Sequence, residues 1–255
     1  MIANYHTHTW RCNHASGSER EYVDNALKAG LRTLGFSDHS PYVFPAGYYS
    51  HFRMKMDQLE DYVRCVLDLR REYAGRMEIP LGLELEFYPK FFPELMSILR
   101  DYPLDYLLLG QHFVGNEIDS HYSGHTTRGD AVLEQYCDQS IEAMQTGLVT
   151  YFAHPDLMYY AGDSGFYRQQ MRRICVEAKA CRIPLELNLL GLRSGRNYPD
   201  RRFWELAAEE GNPVILGRDA HAAADLLDVK TEARARQMIS ELGLHLIDTV
   251  DFRKI

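Results

Sequence analysis

No stretch of the chain approaches the roughly 20 consecutive apolar residues that a membrane-spanning helix requires. Its start carries no basic region followed by a long apolar one. Neither a membrane span nor an export signal is therefore expected. Cysteine is sparse: Cys12, Cys65, Cys137, Cys175 and Cys181 are odd in number, scattered, and form no C-x-x-C pair. That usage fits a reduced, cytoplasmic compartment. Positive charge is also in deficit. Lysine and arginine total 28 against 36 aspartates and glutamates, a formal charge of -8. A general nucleic-acid or membrane-surface binder would need a basic face, so neither partner is expected. A local positive site supplied by metal ions stays compatible with this balance.

What remains is an ordinary globular composition, 45% hydrophobic and 25% charged over 255 residues. Barrels of alternating strands and helices reach this length as one unit, and no composition shift or low-complexity linker marks a boundary, so residues 1–255 read as a single domain. Short strand-like segments alternate with longer helical ones throughout. The strands are IANYH, TLGFSDH, MEIPLGLELEFY, DYLLLGQHFV, VTYFAH, PLELNLL and PVILGRDAH. Between them lie helical stretches such as EREYVDNALKAG, with apolar Tyr22, Val23, Ala26 and Leu27, Gly30 at its end, and a capping box from Ser16 with Glu19 or Ser18 with Glu21. The helix after Lys55 carries Met56, Leu59, Val63, Val66 and Leu67 as a core-facing stripe. About seven strand-helix repeats follow from this rhythm.

Polar residues cluster where these strands end: His6 and His8, His39, Glu84, His112, His154, then Asp219 and His221. In a parallel barrel those ends converge on one rim. One histidine at a strand end is usually a satisfied structural residue, but repetition over six strands reverses that expectation. Imidazole with carboxylate suits zinc, iron or manganese better than magnesium or calcium. In H-T-H the two histidines are two apart on a strand and point the same way, and D-A-H repeats the spacing. Some nine donors exceed the needs of one tetrahedral ion, so two or three ions are expected.

The segments HTHTWRCNH, GFSDHSP, GLELEFY, LLLGQHFV, FAHPDL, LELNLLGLRSG and ILGRDAH together resemble the polymerase and histidinol phosphatase (PHP) family, most of all its stand-alone histidinol-phosphatase branch. The resemblance spans nearly the whole chain in motif order. It implies a distorted seven-stranded (β/α) TIM-like barrel, a single PHP domain over 1–255, with a trinuclear centre of divalent zinc, manganese or iron at the C-terminal rim. The first ion would take His6, His8, Glu84 and Asp219. The second would share Glu84 and add His112 and His154. The third would take His14, His39 and His221. All nine positions hold a competent donor.

The expected activity is hydrolysis of a small phosphate monoester, with histidinol phosphate the best single substrate. A hydroxide bridging two cations would attack phosphorus, because a bound divalent ion lowers the pKa of water to about 7, and the ions would neutralise the equatorial oxygens. Asp219, or alternatively His221, would protonate the departing alkoxide. Arg193 is the family-derived candidate for holding phosphate through its planar fork. Arg196 has both a phosphate reading and a solvated-loop reading, and Arg218 is placed facing away. Where basic residues would be expected after His154, the chain reads Met158, Tyr159, Tyr160. Tyr160 is the candidate there for hydrogen bonding or stacking on substrate.

Two long loops fall on the same face. That at 40–54, with Tyr42, Phe44, Tyr48, Tyr49, His51, Phe52 and Arg53, reads as a lid or as filler. That at 113–127 carries His121 and His125, read as outer or exposed residues, while His245 lies past the last motif. Alternative functions are a phosphodiesterase or exonuclease of the same family, disfavoured by the acidic balance, and a non-catalytic metal-binding module.

Overall fold

The computed structural model describes residues 1–119 and 121–255. Its strands are β1 (Ala3–Asn4), β2 (Thr33–Leu34), β3 (Phe36–His39), β4 (Leu81–Leu85), β5 (Tyr106–Leu109), β6 (Val149–Phe152), β7 (Leu185–Asn188), β8 (Pro213–Gly217) and β9 (His245–Leu246). The helices are α1 (Glu19–Lys28), α2 (Leu59–Glu72), α3 (Phe92–Leu99), α4 (Asp130–Gln145), α5 (Ser164–Ala180), α6 (Leu189–Ser194), α7 (Arg201–Glu210) and α8 (Val229–Leu242). Every pairing between these strands is parallel. β3 to β9 form one sheet in chain order, and β1 pairs with β2.

The strands by themselves do not close a ring. Closure comes from the backbone just beyond β1: Thr7 bridges Ala220, His8 N–H donates to the Ala220 carbonyl at 3.0 Å, and Ser37 N–H donates to the Thr7 carbonyl at 2.9 Å. The first strand segment thus sits between β3 and the end of β8. The fold is the distorted (β/α) barrel expected, with strands shorter than the sequence periodicity implies.

Local chemistry explains the boundaries. Of the two capping boxes open in the sequence, Ser18 with Glu21 starts α1, whose Tyr22, Val23 and Ala26 turn inward. In α2 the buried stripe is Leu59, Tyr62, Val63, Val66 and Leu69, with Leu67 only half-buried and Met56 in a preceding 3-10 turn. LELNLL differs more. The strand stops at Asn188, whose side chain accepts from Gly191 N–H at 3.0 Å, so that Leu189 opens a helix. His245 belongs to a ninth strand on the edge beside β8.

The core has three parts. One lies under α4, α5 and α7, a second under α1, α2 and α3, and the third fills the barrel interior with Ala3, Tyr5, Tyr106, Leu108, Tyr151, Ala153 and Ile215. Tyr106 crosses the interior and donates to the Tyr5 carbonyl at 2.7 Å. Gly35 and Gly82 make room for its ring, since a Cβ at either position would collide with it. This plug fills the barrel interior, so the residues that end the strands meet above it on the C-terminal rim. Among the described residues, no helix is long and apolar enough to cross a membrane.

Candidate metal centre

The strands deliver their terminal residues to one point on that rim. β3 ends on His39, β4 carries Glu84, His112 follows β5, His154 follows β6, and Asp219 and His221 follow β8. His6 and His8 leave the first strand on the same side, ring centroids 5.1 Å apart. His14 arrives through a turn in which Asn13 takes a left-handed backbone (φ 69°), and its Nε2 lies 2.9 Å from Nε2 of His221.

Glu84 is the hub. Its carboxylate oxygens lie 2.9 Å from His154 Nε2, 3.0 Å from His39 Nδ1, 3.6 Å from His6 Nε2 and His8 Nε2, and 3.7 Å from His112 Nε2. Asp219 Oδ1 lies 3.2 Å from His8 Nε2, 3.3 Å from His221 Nδ1 and 3.6 Å from His6 Nε2. Donor atoms gather within 4.8 Å in several sets, among them His6, His8 and Asp219; His6, Glu84 and His154; His8, His39 and Glu84; and His14, His39 and His221. All nine sequence-derived donors meet here. The groupings around Asp219 and around His14 match those read from the sequence. In the set around His154, Glu84 is joined by His6, while His112 stands slightly farther off.

A divalent cation fits this donor set on a direct observation. His6 Nε2, His8 Nε2, His39 Nδ1, Glu84 Oε2, His154 Nδ1 and Asp219 Oδ1 are buried and have no hydrogen-bond partner. Buried polar atoms are normally satisfied, and five of these, all but His154 Nδ1, lie within 3.0–3.6 Å of one another's carboxylate or imidazole partners, an arrangement that matches the coordination of cations. Backbone strain is concentrated there as well. His154 (φ 35°) and Asp219 (φ 47°) are two of the four non-glycine residues at positive φ among those described. Each costs about 1–3 kcal/mol and persists where a site requires it.

Charge follows the same division. Burial is the largest influence on His8 and opposes protonation, but the neighbouring carboxylates of Asp219 and Asp38 outweigh it and push the ring up to about 9. His6 is raised in the same way, its burial outweighed by Glu186, Asp219 and Glu84. Burial dominates at His39 and His221 and drives both well below the usual histidine range; His14 is lowered too. Glu84 and Asp219 are held well below the carboxylate range by surrounding histidines despite burial. The inner end therefore holds carboxylates that attract cations, and the outer end holds neutral imidazoles.

Outer partners that the sequence reading did not single out fix these rings. Glu186 Oε2 pairs with His6 Nδ1 at 2.8 Å, and Glu86 Oε1 pairs with His112 Nδ1 at 2.9 Å. Asp38 Oδ1 lies 3.4 Å from His8 Nδ1, and Asn188 Nδ2 donates to both Glu186 (2.7 Å) and Asp219 (3.0 Å). A usable signal existed, because Glu86 stands two residues from Glu84 in GLELE and Glu186 two from Asn188 in LELN, the spacing that puts side chains on one face.

Above the donors opens a cavity of about 430 Å³, walled by Phe52, Phe113, Tyr122, Leu190, Arg196 and Tyr198. His6 and His154 are buried and do not line it. Arg196 reaches this wall, its guanidinium donating to the Tyr198 hydroxyl at 2.9 Å. Arg193 does not. It turns toward Asp225 (3.3 Å) and Asp228 (3.9 Å). Tyr160 is corrected more strongly. Its ring is buried in the core beside Tyr167, and its hydroxyl donates to Asp130 and accepts from Asp163 N–H. The reason is a backbone bridge from Thr127 to Tyr160, which turns this residue under α4 and α5 and away from the rim.

Arg218 faces away as expected, pairing with Glu232 at 2.7 Å. His121 and His125 are absent from the cavity wall; His121 Nε2 contacts the His125 carbonyl at 3.0 Å. Of the 40–54 loop, Phe52 walls the cavity, Arg53 is buried beneath it, and His51 is exposed. Ser120, inside the 113–127 stretch, lies outside the described residues.

Comparison with known proteins places this geometry among relatives. The PHP domain profile matches residues 4–189. A Deinococcus radiodurans protein named "Probable histidinol-phosphatase" is 30% identical over 237 residues, covering 88% of each chain. The histidinol-phosphatase of Bacillus subtilis is 26% identical over 87% of this chain and 94% of its own. The crystal structure of histidinol phosphate phosphatase from Lactococcus lactis, complexed with zinc, L-histidinol and phosphate, superposes with a TM-score of 0.77 at 19% identity, covering 100% of this chain and 99% of that one.

Proposed function

The chain belongs to the PHP domain family, and from that premise we propose that it is a metal-dependent phosphomonoesterase acting on a small phosphorylated metabolite, histidinol phosphate first. The observation that carries this reading is the set of buried, unpartnered donor atoms of His6, His8, His39, Glu84 and Asp219, the last four of these residues lining a cavity with an arginine in its wall. Three divalent ions, zinc foremost and manganese or iron as alternatives, are proposed for the nine donors His6, His8, His14, His39, Glu84, His112, His154, Asp219 and His221. When bound, such ions acidify water and offset the charge of a phosphoryl group. Residues 1–255 are taken as one PHP domain working in the cytoplasm, a placement that the five free thiols support.

The chain's own residues divide the remaining work. Arg196 sits where a planar fork can grip phosphate oxygens entering the cavity. Tyr198, buried and paired with it, and Tyr122 offer hydroxyls on the same wall. Asp219 is assigned the proton relay: it takes a proton from the attacking water and returns it to the leaving alkoxide, with His221 beside it as the alternative. Asn188 donates to Asp219 Oδ2, which holds Oδ1 toward the histidines. Phe52, Phe113 and Leu190 form an apolar wall against which the organic part of a small ester can lie while water is excluded.

The test is a panel of small monoesters, nucleotides and short oligonucleotides assayed for phosphate release on metal-quantified protein. Selective release from small monoesters, histidinol phosphate above the rest, is the expected result. Preference for oligonucleotides would favour a phosphodiesterase, and bound metal without any turnover would favour a binding module.

A further inference from the structure

A fully buried arginine near the cavity takes no part in the chemistry above. Arg53 is 2% exposed and lies between two carboxylates that are themselves buried, Glu86 and Glu117. Its Nε and Nη2 donate to Glu117 Oε2 at 2.8 and 2.5 Å, Nη2 also donates to Glu86 Oε2 at 2.9 Å, and Nη1 donates to the Ser40 carbonyl at 2.7 Å. Burying three charges is costly unless each is paired in good geometry, and removing one partner is far more harmful than the pair is beneficial. Such a cluster between a strand and two loops therefore holds the three segments in one register.

What it joins is functional. Glu86 gives its second oxygen to His112 Nδ1 at 2.9 Å, which leaves Nε2 of that ring aimed at Glu84. Glu117 belongs to the 113–117 segment that begins with the cavity-wall residue Phe113, and Tyr48 donates to its Oε1 at 2.9 Å. Phe52, the neighbour of Arg53, lies under the guanidinium at 4.4 Å and packs against His39 (5.3 Å), Phe113 (5.5 Å) and His112 (6.0 Å). Asn13, next to His14, donates to the Arg53 carbonyl at 3.1 Å. One side chain thus reaches the aromatic wall on one side and a proposed metal ligand on the other.

We propose that Arg53 is a positioning residue that couples the aromatic wall, Phe52 and Phe113, to the ion held through His112, by way of Glu86 and Glu117. The inference rests on the metal-centre reading above. An outer partner that fixes a ligating histidine commonly carries 10–100-fold in metal affinity, and coupling between two sites is reciprocal. Ion binding at His112 should therefore order the wall, and loosening the wall should release that ion before the others.

The experiment compares wild-type protein with Arg53→Met and Glu117→Gln, the latter keeping a hydrogen-bonding side chain while removing only one charge. Each is loaded with zinc or cobalt and titrated with a chelator. Ions retained per chain and cobalt absorption are followed, alongside the thermal midpoint of the metal-free proteins and protease cleavage within 40–54. In wild type, loading should suppress that cleavage. Arg53→Met should lose one class of ion at about 10–100-fold lower chelator than wild type, with altered cobalt absorption and no suppression of cleavage; Glu117→Gln should move the same way by less. If both variants fold and keep ions, absorption and protection as wild type does, the coupling is refuted while the metal centre stands. A wild-type protein that takes up no metal refutes both.

Discussion

At the scale of single residues, the two arginines after β7 part company. Arg196→Ala should lower kcat/KM for a small monoester by about 10²–10³-fold, the loss expected for removing one donor to a charged transition state. Arg193→Ala should change it little, because that side chain faces Asp225 and Asp228; steady-state kinetics on both variants checks the pair. The proposed metal donors were legible in the sequence because all but His14 are a histidine or carboxylate at or just past the end of an apolar run. The choice between Arg193 and Arg196 was not, since LELNLL reads as continuous strand. In fact Asn188 caps a helix of six residues, Arg193 turns from it toward Asp225 and Asp228, and Gly195 in the left-handed region (φ 63°) ends it before Arg196, which lines the cavity. Tyr160 was misplaced for a similar reason: nothing local in MYY announces the bridge from Thr127 that buries it. Tyr160→Phe should therefore leave turnover unchanged and cost about 1 kcal/mol of stability, the worth of one hydrogen bond, measurable by denaturant melts.

His8 supplies a pH dependence at the same scale. Its pKa rises from 6.5 when unfolded to about 9 in the folded, metal-free protein, because Asp219 and Asp38 overcome burial. The proton it gains on folding stabilises the metal-free protein fully below 6.5, and this contribution disappears as pH climbs through 9. Metal-free protein should lose thermal stability across that window. Zinc must displace the same proton, so its apparent affinity should rise with pH over the same range; titration of zinc uptake at several pH values reads this directly.

At the scale of elements, the rim works because glycine ends the strands that border the carboxylates. A Cβ on Gly110, after β5, would collide with Glu84, and one on Gly217, at the end of β8, would collide with Glu186. Gly217→Ala should push Glu186 off His6 and Gly110→Ala should displace the hub itself. Each should cost about 1–3 kcal/mol from overpacking and reduce bound metal per chain, as metal analysis and melts on the purified variants would show. The strand-helix alternation, the α1 cap and the α2 stripe were all readable, because periodicity and capping are local. The closure of the barrel was not, because the bridge between Thr7 and Ala220 joins backbone more than two hundred residues apart and carries no side-chain signature.

At the scale of the whole molecule, Tyr106 fills the barrel interior and the nine donors gather on one rim, where two neighbouring regions differ in character. Carboxylates with buried histidines form the floor; aromatics with Arg196 form the wall. The acidic balance of the chain and the one arginine among the described cavity-wall residues favour the proposed small anionic substrate over a long polyanion, which a basic face would hold. The most direct measurement is phosphate release from histidinol phosphate by the same protein preparation before chelation, after complete removal of metal, and after zinc is returned. Release that vanishes on stripping and returns with zinc is the predicted result; full release by the metal-free protein would contradict it.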